Sequence, residues 1–184
     1  MRAILPQTYF YRPTLTVARS LVGKYLVREN GKGIIAGRII EVEAYIGPQD
    51  KACHASKGRT ARTDVLFGPP GISYVYLIYG MHHCLNVVTE RSEFPAAVLI
   101  RALEIDGLLI DGPGRLCRAL DIDRSLNRID LTSGVHLWFE DRGEKISRGM
   151  IGTYPRIGVD YAGVWAMKPW RFRLSQGGLR RPTK

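Results

Sequence analysis

Residues 39–46 alternate in a way that a helix cannot use. Ile40, Val42, Ala44 and Ile46 fall on one side of an extended strand; Ile39, Glu41, Glu43 and Tyr45 fall on the other. Upstream, Gly31-Lys32-Gly33 can reverse the chain, so residues 24–29 and 34–46 are predicted to pair as a hairpin. A long strand with one apolar face must find a sheet and a covering layer, which commits much of the chain to β structure.

The other segments agree with that frame. Pro13-Thr14 followed by Leu15, Ala18, Leu21 and Val22 reads as a capped amphipathic helix. Residues 47–70 form a long loop rich in Gly, Lys and Arg, of a length usually functional or disordered. Short strands follow at 72–79 and 85–89 around Gly80, and another at 96–105. Pro113 suits a first helical position, with Leu116, Ala119 and Leu120 at helical spacing. Strands at 135–140 and 171–174 complete the series, and residues 177–184 read as a basic frayed tail. Strands outnumber helices without β-α alternation. The predicted class is α+β: a single domain, 1–184, with a mostly antiparallel sheet flanked by a few helices.

A net charge of +10 and a pI near 9.8 favour an anionic partner, with nucleic acid ahead of a soluble basic protein that has none. The longest apolar runs, 74–79 and 96–100, are too short to cross a bilayer, so no membrane partner is expected. Pro6, Gln7 and Arg12 interrupt any signal-peptide core. Cys53, Cys84 and Cys117 lack a CxxC pattern, which fits reduced thiols and argues against structural zinc. His82, His83 and Cys84 are adjacent, but strand neighbours point to opposite faces, so no metal is expected there.

Glu41, Glu43 and Tyr45 make the polar face of their strand; such a face can be solvated, although Tyr45 adds a planar ring beside two acids. Arg101 shares a face with Ala97, Leu99, Leu103 and Ile105, and buried without a counter-charge it would be costly. Its partner is a phosphate or a carboxylate, Glu43 being the first candidate and Glu41 and Glu104 open, unless it reaches solvent at the strand end. Tyr74, Tyr76 and Tyr79 follow the cationic loop; strand tyrosines are most often core, but rings so placed also serve as base-stacking platforms or groove wedges. Asn86 can read a base edge or cap a turn. Neither a P-loop nor a nucleophile elbow is recognisable. An acid, a cationic loop and aromatic rings together suit gripping a polyanion, stacking a planar ring and activating water.

Glu41-Val42-Glu43-Ala44-Tyr45, His54, the run from Tyr74 through Gly80-Met81 to Asn86, and Leu99-Ile100-Arg101-Ala102-Leu103-Glu104 resemble the alkyladenine (3-methyladenine) DNA glycosylases. The likeness runs from about Thr14 to Leu174, with Gly158, Ala162-Gly163-Val164-Trp165 and Lys168-Pro169 in order. It implies a compact α+β domain with a curved antiparallel sheet, acting without metal or cofactor on double-stranded DNA containing damaged purines. A monomer is expected and, in line with the reduced thiols, a cytoplasmic, nucleoid-associated place in a bacterium or a nuclear one in a eukaryote. By resemblance Glu43 is the general base for water, Arg101 helps place that water, and the Ile157 carbonyl is its third ligand. Tyr45, His54 and Tyr76 sandwich the flipped base, with Leu99 beside them, and Asn86 screens out guanine by crowding its amino group. Tyr79 is the wedge in the duplex with Met81 next to it, and Arg59, Arg62 and Arg115 lie near the DNA backbone. Leu66 stands where relatives can carry Met, Arg115 where some carry Lys, and Tyr161 where relatives have His. These departures bear on DNA contacts.

A purine alkylated at N3 or N7 is cationic, hence a good leaving group and a good partner for electron-rich rings, so one carboxylate that deprotonates water suffices. Strand-cleaving lyase activity is not expected, because no lysine sits in these motifs. A non-catalytic nucleic-acid-binding module on the same scaffold is the alternative, although Glu43 would then only repel phosphate. A helix-hairpin-helix glycosylase would need an LPGVG-like hairpin and a downstream Asp, neither recognisable here. The candidate lesions are 3-methyladenine, 7-methylguanine, hypoxanthine and ethenoadenine.

Overall fold

A computed structural model of the chain describes residues 2–175; the basic tail expected at 177–184 lies outside the described residues. The expected hairpin is present as β2 (Tyr25–Asn30) and β3 (Gly33–Ile46), after a short β1 (Ala3–Ile4). Its turn is fixed by the Asn30 side chain accepting from the Lys32 N–H at 2.9 Å and by Gly33 at φ 128°, a conformation that suits a residue without Cβ.

The remaining strands are β4 (Ser73–Ile78), β5 (His82–Val88), β6 (Ala96–Ile105), β7 (Leu108–Asp111), β8 (Leu137–Asp141), β9 (Ile151–Tyr154) and β10 (Arg171–Leu174). They form a sheet in the order β1-β8-β2-β3-β6-β5-β4, with β10 also beside β3, β9 beside β10, and β7 beside β6. Every pairing given among the described residues is antiparallel. This is the α+β architecture the segment order predicts.

The long strand β3 changes neighbours along its length. Its first half pairs with β2; from Glu41 to Glu43 it pairs instead with β10, while β6 runs along its other edge. Its apolar face, Ile40, Val42 and Ala44, is wholly buried in the main core with Val17, Leu21 and Phe172. Helix α2 (Thr14–Leu21) lies on this strand, and α3 (Pro113–Ala119) lies on β5 and β6. A short α1 (Gln7–Phe10) was not predicted: four residues are too few to show periodicity, yet they bury Phe10 completely.

Two expectations are corrected. The cap of α2 is not local: the Glu90 carboxylate accepts from the Thr14 N–H at 3.0 Å and from its hydroxyl at 2.6 Å, across more than seventy residues. The polar face of β3 is not solvated either: Arg101, Arg171 and Arg173 surround Glu41 and the Ile157 N–H reaches Glu43, which are 1% and 0% exposed. The long loop is ordered around two 3₁₀ turns, His54–Lys57 and Asp64–Phe67. Strands β1, β7 and β9, two to four residues each, were missed because alternation needs more length to register. The strand expected at 135–140 begins only at Leu137, with Val135 exposed and His136 at φ 62°.

Candidate active site

On the covered face of the sheet lies a cavity of about 530 Å³. Its walls include Tyr45 from β3, His54 from the first 3₁₀ turn, Tyr74 and Tyr76 from β4, Asn86 from β5, and Leu99 from β6. The volume is within the ~300–1,000 Å³ usual for small-molecule sites. His54 stands edge-on to Tyr76, ring centroids 4.6 Å apart, and Tyr74 lies 5.2 Å from Tyr76. The Tyr74 hydroxyl is 3.0 Å from His54 Nδ1. Burial, aided by the charges of Arg62 and Lys57, lowers the His54 pKa to about 4, so its ring is neutral at pH 7. Asn86 sits opposite Tyr74 and Leu99, and its side-chain amide donates to the Tyr74 carbonyl at 3.1 Å.

Glu43 lies immediately behind this wall. One carboxylate oxygen, Oε1, accepts the Ile157 N–H at 2.8 Å and is 3.4 Å from Arg101 Nε. The other, Oε2, accepts the Tyr45 hydroxyl at 2.8 Å. Tyr45, Arg101 and Ile157 all line the cavity, so the buried acid is bonded to three groups that reach it. A carboxylate has about four acceptor sites, which leaves capacity for a water. Burial pushes the Glu43 pKa up; the charge of Arg101, the Ile157 N–H and the Tyr45 hydroxyl pull it down, and the Glu41 charge pushes it up again. A carboxylate raised in this way is a better base than an ordinary one when it is ionised.

Arg101 is partnered by both the first candidate, Glu43, and the open alternative Glu41, with Glu41 nearer, at 2.9 Å against 3.4 Å. Ile157 bonds to Glu43 through its N–H, a contact the sequence did not indicate.

At the mouth, Tyr79 is 85% exposed at the tip of the β4–β5 hairpin. The Met81 N–H closes the turn onto the Ile78 carbonyl, and both central residues have positive φ, Tyr79 at 52° and Gly80 at 71°. A bulky residue in that region is uncommon, and such strain collects at functional positions. Met81 beside it is exposed too. Arg62 donates from Nε to the Tyr74 hydroxyl at 3.3 Å, with its guanidinium 5.1 Å from the Tyr76 ring centroid. Arg59 is held by Asp64 and Glu93, which already compensate its charge. Arg115, in the first turn of α3, lines the cavity, as do Leu66 and Tyr161, so the three departures from the resembled family all border it.

Sequence reasoning missed a buried pair. Arg156 and Asp50, both with fully buried side chains, join through two contacts of 2.6 and 2.8 Å. Arg156 also donates to the carbonyls of Ala44 and Trp165, and it lies 4.7 Å from the Tyr45 ring centroid and 5.0 Å from that of Trp170. It therefore backs the Tyr45 wall and ties down the turn Asp160–Trp165. With the partners 106 positions apart, no local spacing could have signalled it.

The sequence matches a known family and its members over nearly its whole length. The family described as methylpurine-DNA glycosylase matches residues 8–177. Proteins carrying the name "Putative 3-methyladenine DNA glycosylase" are 53% identical in Methanocella arvoryzae, over 92% of this chain and 91% of that one, and 53% identical in Myxococcus xanthus, over 97% and 98%. A protein of the same name in Legionella pneumophila is 50% identical, over 92% of this chain and 93% of its own.

Proposed function

The chain belongs to the methylpurine-DNA glycosylase family, and we propose that its cavity receives a damaged purine flipped from duplex DNA, with Glu43 activating the water that releases it. The protein is a DNA-repair hydrolase, a 3-methyladenine DNA glycosylase, with DNA as its substrate. The observation that carries the finer reading is a buried carboxylate hydrogen-bonded to residues that themselves line an aromatic pocket.

In this reading Tyr45 takes one face of the base, and His54 and Tyr76 the other. Glu43 accepts a proton from water as the water oxygen bonds to C1′ of the sugar. The N-glycosidic bond breaks and its electron pair leaves with the base. An N3- or N7-alkylated purine then departs neutral and needs no proton. That suits the pocket, because neutral His54 and the burial-raised tyrosines Tyr45 and Tyr76 are weak acids at pH 7. Among the described residues no lysine lines the cavity, which supports base release without strand cleavage. Leu99 and Asn86 border the base, Tyr79 and Met81 occupy the gap in the duplex, and Arg62 and Arg115 face the backbone near the mouth. Arg59 is the weakest of the proposed phosphate contacts, given its two carboxylates. We take the protein to act as a monomer at the nucleoid of a bacterial cytoplasm, or in a nucleus if eukaryotic.

The test is single-turnover incubation with duplexes carrying 3-methyladenine, 7-methylguanine, hypoxanthine or ethenoadenine. Free base should appear, the strand should stay intact until alkali is added, and the cationic lesions should be released fastest. Strand breaks without alkali, or binding without release of any base, would contradict the reading.

Tyr79 offers a sharper check. Tyr79→Ala should slow excision from paired duplex most, and from mismatched or single-stranded substrate least, because unstacking those costs less. Equal losses on all three would point to a structural role for the ring.

A further inference from the structure

Glu41 has no part in the proposed reaction, yet it is 1% exposed and faces three arginines. Arg101 Nε lies 2.9 Å from it, Arg171 Nη1 3.4 Å, and Arg173 Nη1 is in direct contact. The layout follows from register. Arg173 on β10 is opposite Glu41 on β3, and Arg171 is opposite Glu43. On the other edge the β3–β6 ladder slips between Ile39 and Val42, so that Arg101 has no residue directly opposite it. Arg101 is thus free to lean between the two acids, and it leans toward Glu41.

We propose that Glu41 is a positioning residue that holds Arg101 off Glu43, so that the reacting carboxylate shares its arginine and stays basic. A carboxylate fully paired with Arg101 would be a weaker base. Arg173 acts in the opposite sense. Anchored also to Asp111 at 3.0 Å, it competes for Glu41 and limits how far Arg101 is drawn away. The other groups facing Glu43 are Tyr45 on its own strand, the Ile157 N–H from the loop, Arg171 across on β10, Tyr76 on β4 and Cys84 on β5. Each of these is retained in the variants below. The negative charge of Glu41 also pushes the Glu43 pKa up directly, in the same direction as its hold on Arg101.

This inference rests on Glu43 being the base, and the test separates the two. Single-turnover excision of 7-methylguanine is followed against pH for the wild type, Glu41→Gln, Arg173→Gln and Glu43→Gln, with thermal unfolding as the folding control. In Glu41→Gln, Arg101 closes on Glu43. The acid limb should move down by about one pH unit, and the plateau rate should fall by less than the ~10²–10⁴-fold expected for losing the base itself. In Arg173→Gln, whose side chain is 30% exposed and so tolerates replacement, the limb should move up. Opposite displacements are what loosened packing cannot produce.

If Glu43→Gln abolishes the limb while the other two variants leave it in place, Glu43 is the base and the role given to Glu41 is wrong. If Glu43→Gln keeps the wild-type limb, the base assignment fails and this inference with it. Should Glu41→Gln not fold, the direction of the Arg173→Gln limb decides alone.

Discussion

Glu43→Gln should excise alkylated purines ~10²–10⁴-fold more slowly than the wild type in single turnover, the usual loss when general-base help is removed. The replacement keeps the shape of the side chain: its amide oxygen can accept from the Ile157 N–H that now bonds Oε1, and its NH2 can donate to the Tyr45 hydroxyl oxygen in place of the bond that Oε2 accepts. The pocket rings should therefore stay in place and lesion-bearing duplex should bind with near wild-type affinity. Stability provides a control with a definite sign. Glu43 has a folded-state pKa above its unfolded value, so between those values the folded protein binds more protons and loses stability as pH rises. Removing the charge should leave the protein no less stable at neutral pH. A variant that excises at the wild-type rate would transfer the role elsewhere, with Glu41 next in line.

The second large effect concerns stability and the Tyr45 wall together. Asp50→Ala leaves the Arg156 guanidinium buried without its counter-charge, and breaking such a pair typically costs ~3–5 kcal/mol. For a domain of this size each kcal/mol lowers Tm by about 2–4 °C, so thermal unfolding should shift downward by roughly 6–20 °C. The Asp50 carboxylate also accepts from the Ile46 and Ala52 N–H groups, so the start of the long loop should loosen with it. Because Arg156 backs Tyr45, KM should rise alongside the fall in Tm. A double variant that removes both charges, Asp50→Ala with Arg156→Met, should recover part of the stability, since no uncompensated charge then stays buried. An unchanged Tm in Asp50→Ala would show that the pair is not the anchor described.

The β2–β3 hairpin, β6, α2 and α3 were legible in the sequence because alternation, helical spacing and turn glycines act over neighbouring residues. The residues of the β3 polar face and the rings of β4 were legible as candidates for the same reason, and the family resemblance supplied their roles. What was not legible depends on contacts between distant segments. The Glu90 cap of Thr14, the Asp50–Arg156 pair, and the choice of Arg101 between Glu41 and Glu43 arise only when the sheet register is set. The burial of Glu41 and Glu43 belongs to the same class, because an i, i+2 pattern shows that acids share a face but not what covers it. Positive φ at Tyr79 was equally hidden: a tyrosine before glycine carries no signal as strong as Asn-Gly.

The most direct measurement is the pH dependence of single-turnover base release from a 7-methylguanine duplex, wild type against Glu43→Gln. The base must be ionised to take a proton from water, so the wild-type rate should rise with pH through one ionisation and then level off. Since burial raises the pKa of Glu43, that rise should be centred above the ~4.3 of an ordinary glutamate. The Glu43→Gln rate should be low and flat across the same range, with DNA binding retained. A Glu43→Gln profile that keeps the wild-type limb would contradict the assignment of Glu43 as the group that activates water.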